Sequence, residues 1–311
     1  MPPAATTHKT QSRRTRRRAH KGETHVNTHQ PTHHQPCTLP AQLPLPTGSH
    51  LIALDIDGTT IGHDGTLTNR VREAIQRSNT NGHHIIIATG RSILSAAPII
   101  TTLGLERGYA VTSNGAVTLR LDPDLPHGWE IIDQRTFDPA PILHTLRREF
   151  PTGALAVERV GVGFDIHGDF PRSELDGQIH TVAWEDLSAH PTTRVTFNDP
   201  EADVEHFTDR IGKMGLHGVN YAIGFTAWLD ITATGVSKAS ALENIRTHLG
   251  INPTHTLAVG DQRNDIEMLT WAACGIAMGN APDEVAAIAD YITAHVDNDG
   301  LADVLDLLPS A

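Results

Sequence analysis

Leu51-Ile52-Ala53-Leu54-Asp55-Ile56-Asp57-Gly58-Thr59 sets an apolar run directly against two acids spaced two residues apart, followed by a glycine. The segment His50–Leu54 is short, apolar and bounded by turn residues, the pattern of a strand buried on both faces of a parallel sheet. Its carboxyl end presents Asp55 and Asp57, and in open parallel sheets that edge is where ligands bind. Side chains alternate along extended backbone, so both carboxylates lean the same way, and Gly58 permits the sharp turn that follows. Two acids aimed at one small ligand suggest covalent phosphoryl chemistry. A calcium loop also begins with acids at its first and third positions, but Thr60 stands where that loop needs glycine and Thr66 where it needs a bidentate glutamate. A plain solvated turn stays open, so the stretch takes its meaning from partners elsewhere in the chain.

The 311 residues suffice for two domains with real cores, and 39% of them are hydrophobic. The net charge of −12 is unevenly placed: residues 1–47 carry seven Lys/Arg against Glu23 alone, +6, which leaves −18 on the remainder. Such an acidic body repels nucleic acid and membrane surfaces, so a polyanion would be met only through the basic tail, and the body points to small substrates. Residues 1–47, rich in Thr, His, Pro and Gln, read as a disordered tail. Its six histidines would suit a metal and its Arg13–Arg18 cluster a nucleic acid, but a solvated tail, or a start site placed too far upstream, accounts for both. The cluster resembles the start of an export signal, yet the Pro-rich segment 35–48 lacks the apolar core such signals need, so a cytoplasmic location is expected. No apolar run approaches the roughly 18 residues of a membrane span. Cys37 and Cys274 offer no disulfide framework and fit a reducing compartment; Cys274, without a basic neighbour in sequence, reads as a small core residue.

From residue 50 onward strands and helices alternate. Thr68 is placed to cap a helix running to about Asn81, with Gly82 as its stop, and His84–Ala88 is a second apolar strand ending in Thr89-Gly90-Arg91. A helix from Ser92 and a third strand, Tyr109–Thr112, lead to Ser113-Asn114-Gly115. Three strands ending in polar or glycine residues describe a doubly wound parallel sheet, an α/β Rossmann-like core, with its site along one edge. Between residues 120 and 228 the pattern changes: hairpin-like runs (Trp129–Gln134, Gly161–His167, Arg194–Phe197, Val219–Phe225) mix with helices Ala140–Phe150 and Glu201–Gly212. This predicts an inserted α+β cap domain at 120–228, splitting a core of 48–119 and 229–311. Ser237 then caps a helix with Lys238 in its first turn, and Thr256–Val259 is a strand ending in Gly260-Asp261-Gln262-Arg263-Asn264-Asp265. Gly275–Met278 and Tyr291–Thr293 supply two further strands, and Asp299–Leu308 an amphipathic closing helix.

Asp55-x-Asp57-Gly58-Thr59, Thr89-Gly90-Arg91, Lys238 and Gly260-Asp261-x-x-Asn264-Asp265 resemble the four ordered motifs of the haloacid dehalogenase-like superfamily. Ser113-Asn114-Gly115-Ala116, Gly235-Val236-Ser237-Lys238, Met268-Leu269, Ala277-Met278-Gly279-Asn280-Ala281 and Asp299-Gly300-Leu301 are similar to its Cof-like phosphatase branch. The likeness is dense over 50–119 and 229–311, whereas the insert matches only in length and position. One departure is Gln262, where many relatives carry glycine, which puts only the local loop shape in question.

The resemblance implies a phosphatase of small phosphate monoesters, sugar phosphates or a phosphorylated cofactor, working through an aspartyl-phosphate. Asp55 is the expected nucleophile, since a carboxylate is ionised at neutral pH, and Asp57 the acid that protonates the leaving oxygen and later, as base, activates water. Attack on an anionic phosphate requires a divalent cation, expected to be Mg2+, held by the Asp55 and Asp261 side chains and the Asp57 backbone carbonyl. Asp265 is a direct ligand, an outer one, or an ordinary first-turn acid. Lys238 and Thr89 would act on the phosphoryl oxygens; a lysine opening a helix opposes the helix dipole by about 0.3–1 kcal/mol, which favours a functional reading. Gly58, Gly90, Arg91, Asn114 and Asn264 fall on the substrate side, although the asparagines are natural turn residues and Arg91 could equally form a structural ion pair. In the cap, Arg159, Phe164, His167 and Trp184 stand out as specificity candidates or as packing. The rival functions are a phosphomutase and a non-catalytic phosphate-ester-binding regulator.

Overall fold

The computed structural model describes residues 37–171, 175–199, 202–214, 219–223 and 227–311. The strands in chain order are β1 (Cys37–Thr38), β2 (Leu51–Leu54), β3 (His84–Ala88), β4 (Gly108–Thr112), β5 (Val117–Leu121), β6 (Trp129–Gln134), β7 (Ala154–Arg159) and β8 (Gly163–His167). There follow β9 (Gln178–Thr181), β10 (Val195–Asn198), β11 (Val219–Ile223), β12 (Trp228–Ala233), β13 (Thr256–Gly260), β14 (Cys274–Ala277) and β15 (Tyr291–Ile292). One sheet has nine strands in the order β1-β15-β14-β13-β2-β3-β4-β5-β6, parallel from β1 through β4. The other has six, β11-β12-β10-β7-β8-β9, antiparallel except for β8 with β9.

The apolar run at residues 51–54 is β2, paired on either side with β13 and β3. Its side chains alternate between two cores. Ile52 and Leu54 pack under helices Asn69–Thr80 and Gly300–Leu305, and Leu51 and Ala53 under helices Lys238–Leu249 and Ile266–Trp271. This is the doubly covered α/β sheet expected from the sequence. Each fully buried Leu or Ile among them contributes about 1.5–3 kcal/mol, so the middle strands hold their polar ends in a fixed register. The helix caps agree with the sequence reading: Thr68 Oγ1 accepts from Val71 N at 3.2 Å, and Ser237 and Ser240 form a reciprocal capping box.

Three elements run across the boundaries drawn on the sequence. First, the sheet continues past its parallel part as an antiparallel extension, β5 and β6, so the boundary at residue 120 falls inside a strand and Trp129–Gln134 belongs to the nine-stranded sheet. Second, the six-stranded sheet keeps the chain through β12, to Ala233, rather than releasing it at 228. Third, the tail drawn to residue 47 ends earlier: Cys37–Thr38 pairs with β15, and Leu43 and Leu45 are buried in the core. Residues 1–36, with the Arg cluster and the six tail histidines, lie outside the described residues, as do Glu201 and Phe225 at the ends of two expected elements. Cys274 is buried and free, its thiol pushed up to about 12 by burial and then by Asp290. Among the described residues no helix is long and apolar enough to cross a membrane.

Candidate active site

The polar ends of β2, β3, β4 and β13 meet along one edge of the nine-stranded sheet. Asp55 directly follows β2 and is 4% exposed; the buried Lys238 ammonium donates to Asp55 Oδ1 and to Asp265 Oδ1, both at 2.6 Å. Asp265 Oδ2 accepts the backbone N–H groups of Asp261 and Gln262, each at 3.0 Å, so both of its oxygens are engaged. Asp261 Oδ1 accepts from Thr59 Oγ1 at 3.1 Å, and its Oδ2 from Gln262 Nε2 at 2.8 Å and Asn280 Nδ2 at 3.0 Å. Gln262, the departure noted in the sequence, therefore fixes an acid of the site. Gly58 makes the tight approach possible: its φ is +76°, and a Cβ there would lie 2.3 Å from Asp261 Oδ2.

Asp55, Asp261 and Asp265 are all buried, and one oxygen from each lies within 4.8 Å of the others. Burial, reinforced by Asp265, pushes Asp55 well above the usual carboxylate range, against the pull of Lys238. Burial and then Asp265 push Asp261 up to about 6. Burial also works against the Lys238 ammonium, but Asp265 and Asp55 outweigh it and hold its pKa above the ordinary value. Three buried carboxylates face a single ammonium, a charge imbalance that a divalent cation would relieve. The donor set is all oxygen, which suits a hard cation.

Asp57 lies outward of this cluster, where Arg91 holds it in a two-pronged ion pair, Nε to Oδ2 at 2.8 Å and Nη2 to Oδ1 at 2.6 Å. The pair keeps Arg91 above its ordinary pKa, chiefly through the hydrogen bond to Asp57. Arg91 is thus held in a structural ion pair with Asp57, one of the readings its sequence position allowed. Thr89 is buried, and its Oγ1 accepts from Arg91 N at 3.1 Å, shaping the loop that carries the arginine. Asn264 Nδ2 donates to Asn114 Oδ1 at 2.9 Å, and Asn114 Nδ2 donates to Asp230 Oδ2 at 3.3 Å. Asn114 and the preceding Ser113 have φ of 53° and 50°, in the left-handed region.

A cavity of about 400 Å³ opens over these groups, with Asp55, Asp57, Thr89, Gly90, Arg91 and Asn264 on the core side. Facing them from the six-stranded sheet are Phe164, Arg194, Thr196, Trp228 and Asp230, joined by Leu175 and Asp176. Strand alternation explains this set: Val195, Phe197, Leu229 and Ile231 turn to the hydrophobic cluster on the other face of the six-stranded sheet, which sends Arg194, Thr196, Trp228 and Asp230 toward the cavity. Of the four residues of the expected cap singled out in the sequence, only Phe164 lines this cavity. Arg159 is exposed and sits 3.5 Å from Asp165, while the rings of His167 and Trp184 pack edge to face 5.5 Å apart. Sequence reasoning missed Arg194, Trp228 and Asp230, although their alternation with buried apolar residues was there to be read. It gave no site role to Asn280, quoted above only within a motif, whose Nδ2 ties the Gly58 carbonyl at 2.8 Å to Asp261.

A haloacid dehalogenase-like hydrolase family model matches residues 52–305, and the chain belongs to that family, in its Cof-like branch. It is 27% identical over 265 residues to the 5-amino-6-(5-phospho-D-ribitylamino)uracil phosphatase YcsE of Bacillus subtilis, covering 81% of this chain and 92% of that one. It is 28% identical over 263 residues to a second B. subtilis phosphatase of the same designation, YitU, covering 82% and 96%. Among solved structures it resembles a subclass IIB sugar phosphatase, BT4131, at a TM-score of 0.70 and 23% identity, covering 83% of this chain and 98% of that one. The last likeness supports the fold alone. The chain is a hydrolase, and the phosphatase class implied by its motifs agrees with the names of these relatives.

Proposed function

We propose that the protein is a Mg2+-dependent phosphatase acting on small phosphate monoesters through an aspartyl-phosphate at Asp55. The observation that carries this reading is the buried Asp55 carboxylate, held at 2.6 Å by Lys238, on the cavity shared with Asp57 and Arg91. Asp55 attacks phosphorus and the ester oxygen departs with a proton from Asp57; water, losing its proton to Asp57, then attacks the phosphoryl group and returns Asp55 as the free carboxylate. Asp55 and Asp261, with the Asp57 carbonyl, would hold Mg2+, which supplies the positive charge that lets one anion approach another. The doubly engaged oxygens of Asp265 favour it as the group that orients Lys238 and the 261–262 turn. Lys238 and Thr89 would face the phosphoryl oxygens, and Gly58, Gly90, Asn114 and Asn264 the substrate side.

The six-stranded sheet and its helices are the proposed cap, closing over the ester and excluding water. Aromatic Phe164 and Trp228 beside Asp176 and Asp230 suit a hydroxylated, non-anionic leaving group, in line with relatives named for a ribityl-bearing phosphate. A cytoplasmic setting belongs to this reading through the free, buried Cys274. The test is release of inorganic phosphate from p-nitrophenyl phosphate and a panel of sugar phosphates, with Mg2+ against EDTA. Metal-dependent release supports the phosphatase; transfer of the phosphate to a product alcohol would mark a mutase, and silence across the panel a binding protein.

A further inference from the structure

Arg194 reaches out of the six-stranded sheet to the loop that carries Arg91. It immediately precedes β10, is 6% exposed, and donates through Nη1 to the carbonyl of Gly90. Within its own sheet its guanidinium lies 3.3 Å from Glu158 Oε2, 3.7 Å from Asp230 Oδ2 and 5.3 Å from the Phe164 ring centroid. The same two acids accept from the core: Ser113 Oγ donates to Glu158 Oε1 at 2.9 Å, and Asn114 Nδ2 to Asp230 Oδ2 at 3.3 Å. Core and cap therefore meet through one cation and two anions of the cap and three points of the core, Gly90, Ser113 and Asn114.

Those three core points are themselves tied together. Ser113 N donates to the Arg91 carbonyl at 2.8 Å and Asn114 N to the Thr89 carbonyl at 3.1 Å, so the strand ends of β3 and β4 move as one piece. The piece ends in the Arg91 guanidinium, which holds both oxygens of Asp57. We infer that Arg194 is a positioning residue: seated in the cap, it fixes the Gly90–Arg91 peptide and thereby the place of Asp57, so that the acid–base group is in register only while the cap is closed. A planar fork suits this task because it meets a carbonyl and two carboxylates at once, which a lysine ammonium cannot do in one geometry.

The kinetic consequence rests on the phosphatase reading; the structural coupling does not, and the experiment separates them. The main variant is Arg194→Lys, which keeps the charge, since Arg194→Ala leaves the buried Glu158 and the half-buried Asp230 without their cation and is liable to misfold. With p-nitrophenyl phosphate and Mg2+, kcat should fall on the order of 10-fold while KM stays within about twofold, as for a misplaced group rather than a lost ligand. In the same full-length protein, hydrogen exchange at the Arg91 and Ser113 amides should quicken on the order of 10-fold with the melting temperature held. Unchanged exchange at these amides, or a raised KM with kcat intact as expected of a direct phosphate ligand, would overturn the inference. If the parent protein turns over no ester, the phosphatase reading falls, and the amide exchange still decides the role of Arg194.

Discussion

Lys238 and Asp55 lie 183 residues apart in sequence, yet their Nζ and Oδ1 atoms are 2.6 Å apart and both side chains are buried. The same ammonium reaches Asp265, so one lysine screens two acids that would otherwise repel. The pair is the point at which the first and last parts of the core become one site.

Lys238→Met should therefore cost stability as well as turnover. It leaves Asp55 and Asp265 buried beside each other without their cation, and breaking such a pair costs about 3–5 kcal/mol, less whatever protonation of the acids recovers. Urea denaturation at neutral pH measures the loss. A variant as stable as the parent would mean that the ammonium contributes nothing net to the fold.

Asp55→Asn should abolish turnover and the hydroxylamine-sensitive phosphoenzyme, because the amide is no nucleophile. Asp57→Asn should slow turnover on the order of 100-fold or more yet still permit phosphorylation of Asp55 by an ester with a good leaving group. Rapid-quench labelling distinguishes the two. Full activity in Asp55→Asn would remove the nucleophile from this position.

Gly58→Ala tests the tight turn. At φ +76° an L-residue is strained by about 1–2 kcal/mol, and its Cβ would meet Asp261 Oδ2 at 2.3 Å, so the Asp261 carboxylate must shift. We expect a fall in activity with a rise in the Mg2+ concentration giving half-maximal rate. An unaltered metal titration would show that Asp261 can move without consequence.

At the opposite end of the sheet, His50 predicts a pH response. It is fully buried with both ring nitrogens lacking a hydrogen-bond partner, 5.3 Å from the His83 ring and 5.0 Å from that of His255. Burial first, then the His83 and His255 charges, lower its pKa to about 4. Since the unfolded chain takes up this proton near pH 6.5 and the folded one only near 4, stability is full above about pH 6.5 and is lost as pH falls through 4. Melting temperatures between about pH 7 and pH 4.5 should fall more steeply for the parent than for His50→Leu, with part of the slope kept by His83, which burial also lowers. Equal slopes would acquit His50.

β2, β3 and β13 were legible because each is a short apolar run followed within two residues by Gly or Asp, as in His84–Ala88 and Thr256–Gly260. The acids of the site were legible because their spacing is dictated by strand ends. β7 escaped notice because Ala154-Leu-Ala-Val-Glu-Arg has a helix former's composition and becomes a strand only through its pairing with β8 and β10. The antiparallel extension was assigned to the insert because Trp129–Gln134 reads as a hairpin arm and carries no mark of which sheet it joins. The residues of the six-stranded sheet that line the cavity were hidden for a related reason. Which face of β10 and β12 looks at the site is settled by where the helices Ala140–Glu149 and Val204–Met214 dock, a fact of tertiary packing.

Thr59 and Asp261 are hydrogen-bonded across 202 residues, and β2 and β13 pair along the whole length of β2. A chain emerging from the ribosome thus exposes its most apolar strand long before the neighbour that covers it is made, and it stays chemically silent until its last segment arrives. The nascent protein is therefore expected to depend on shielding by chaperones during synthesis, and a premature stop after β12 would yield an aggregating fragment rather than a weaker enzyme.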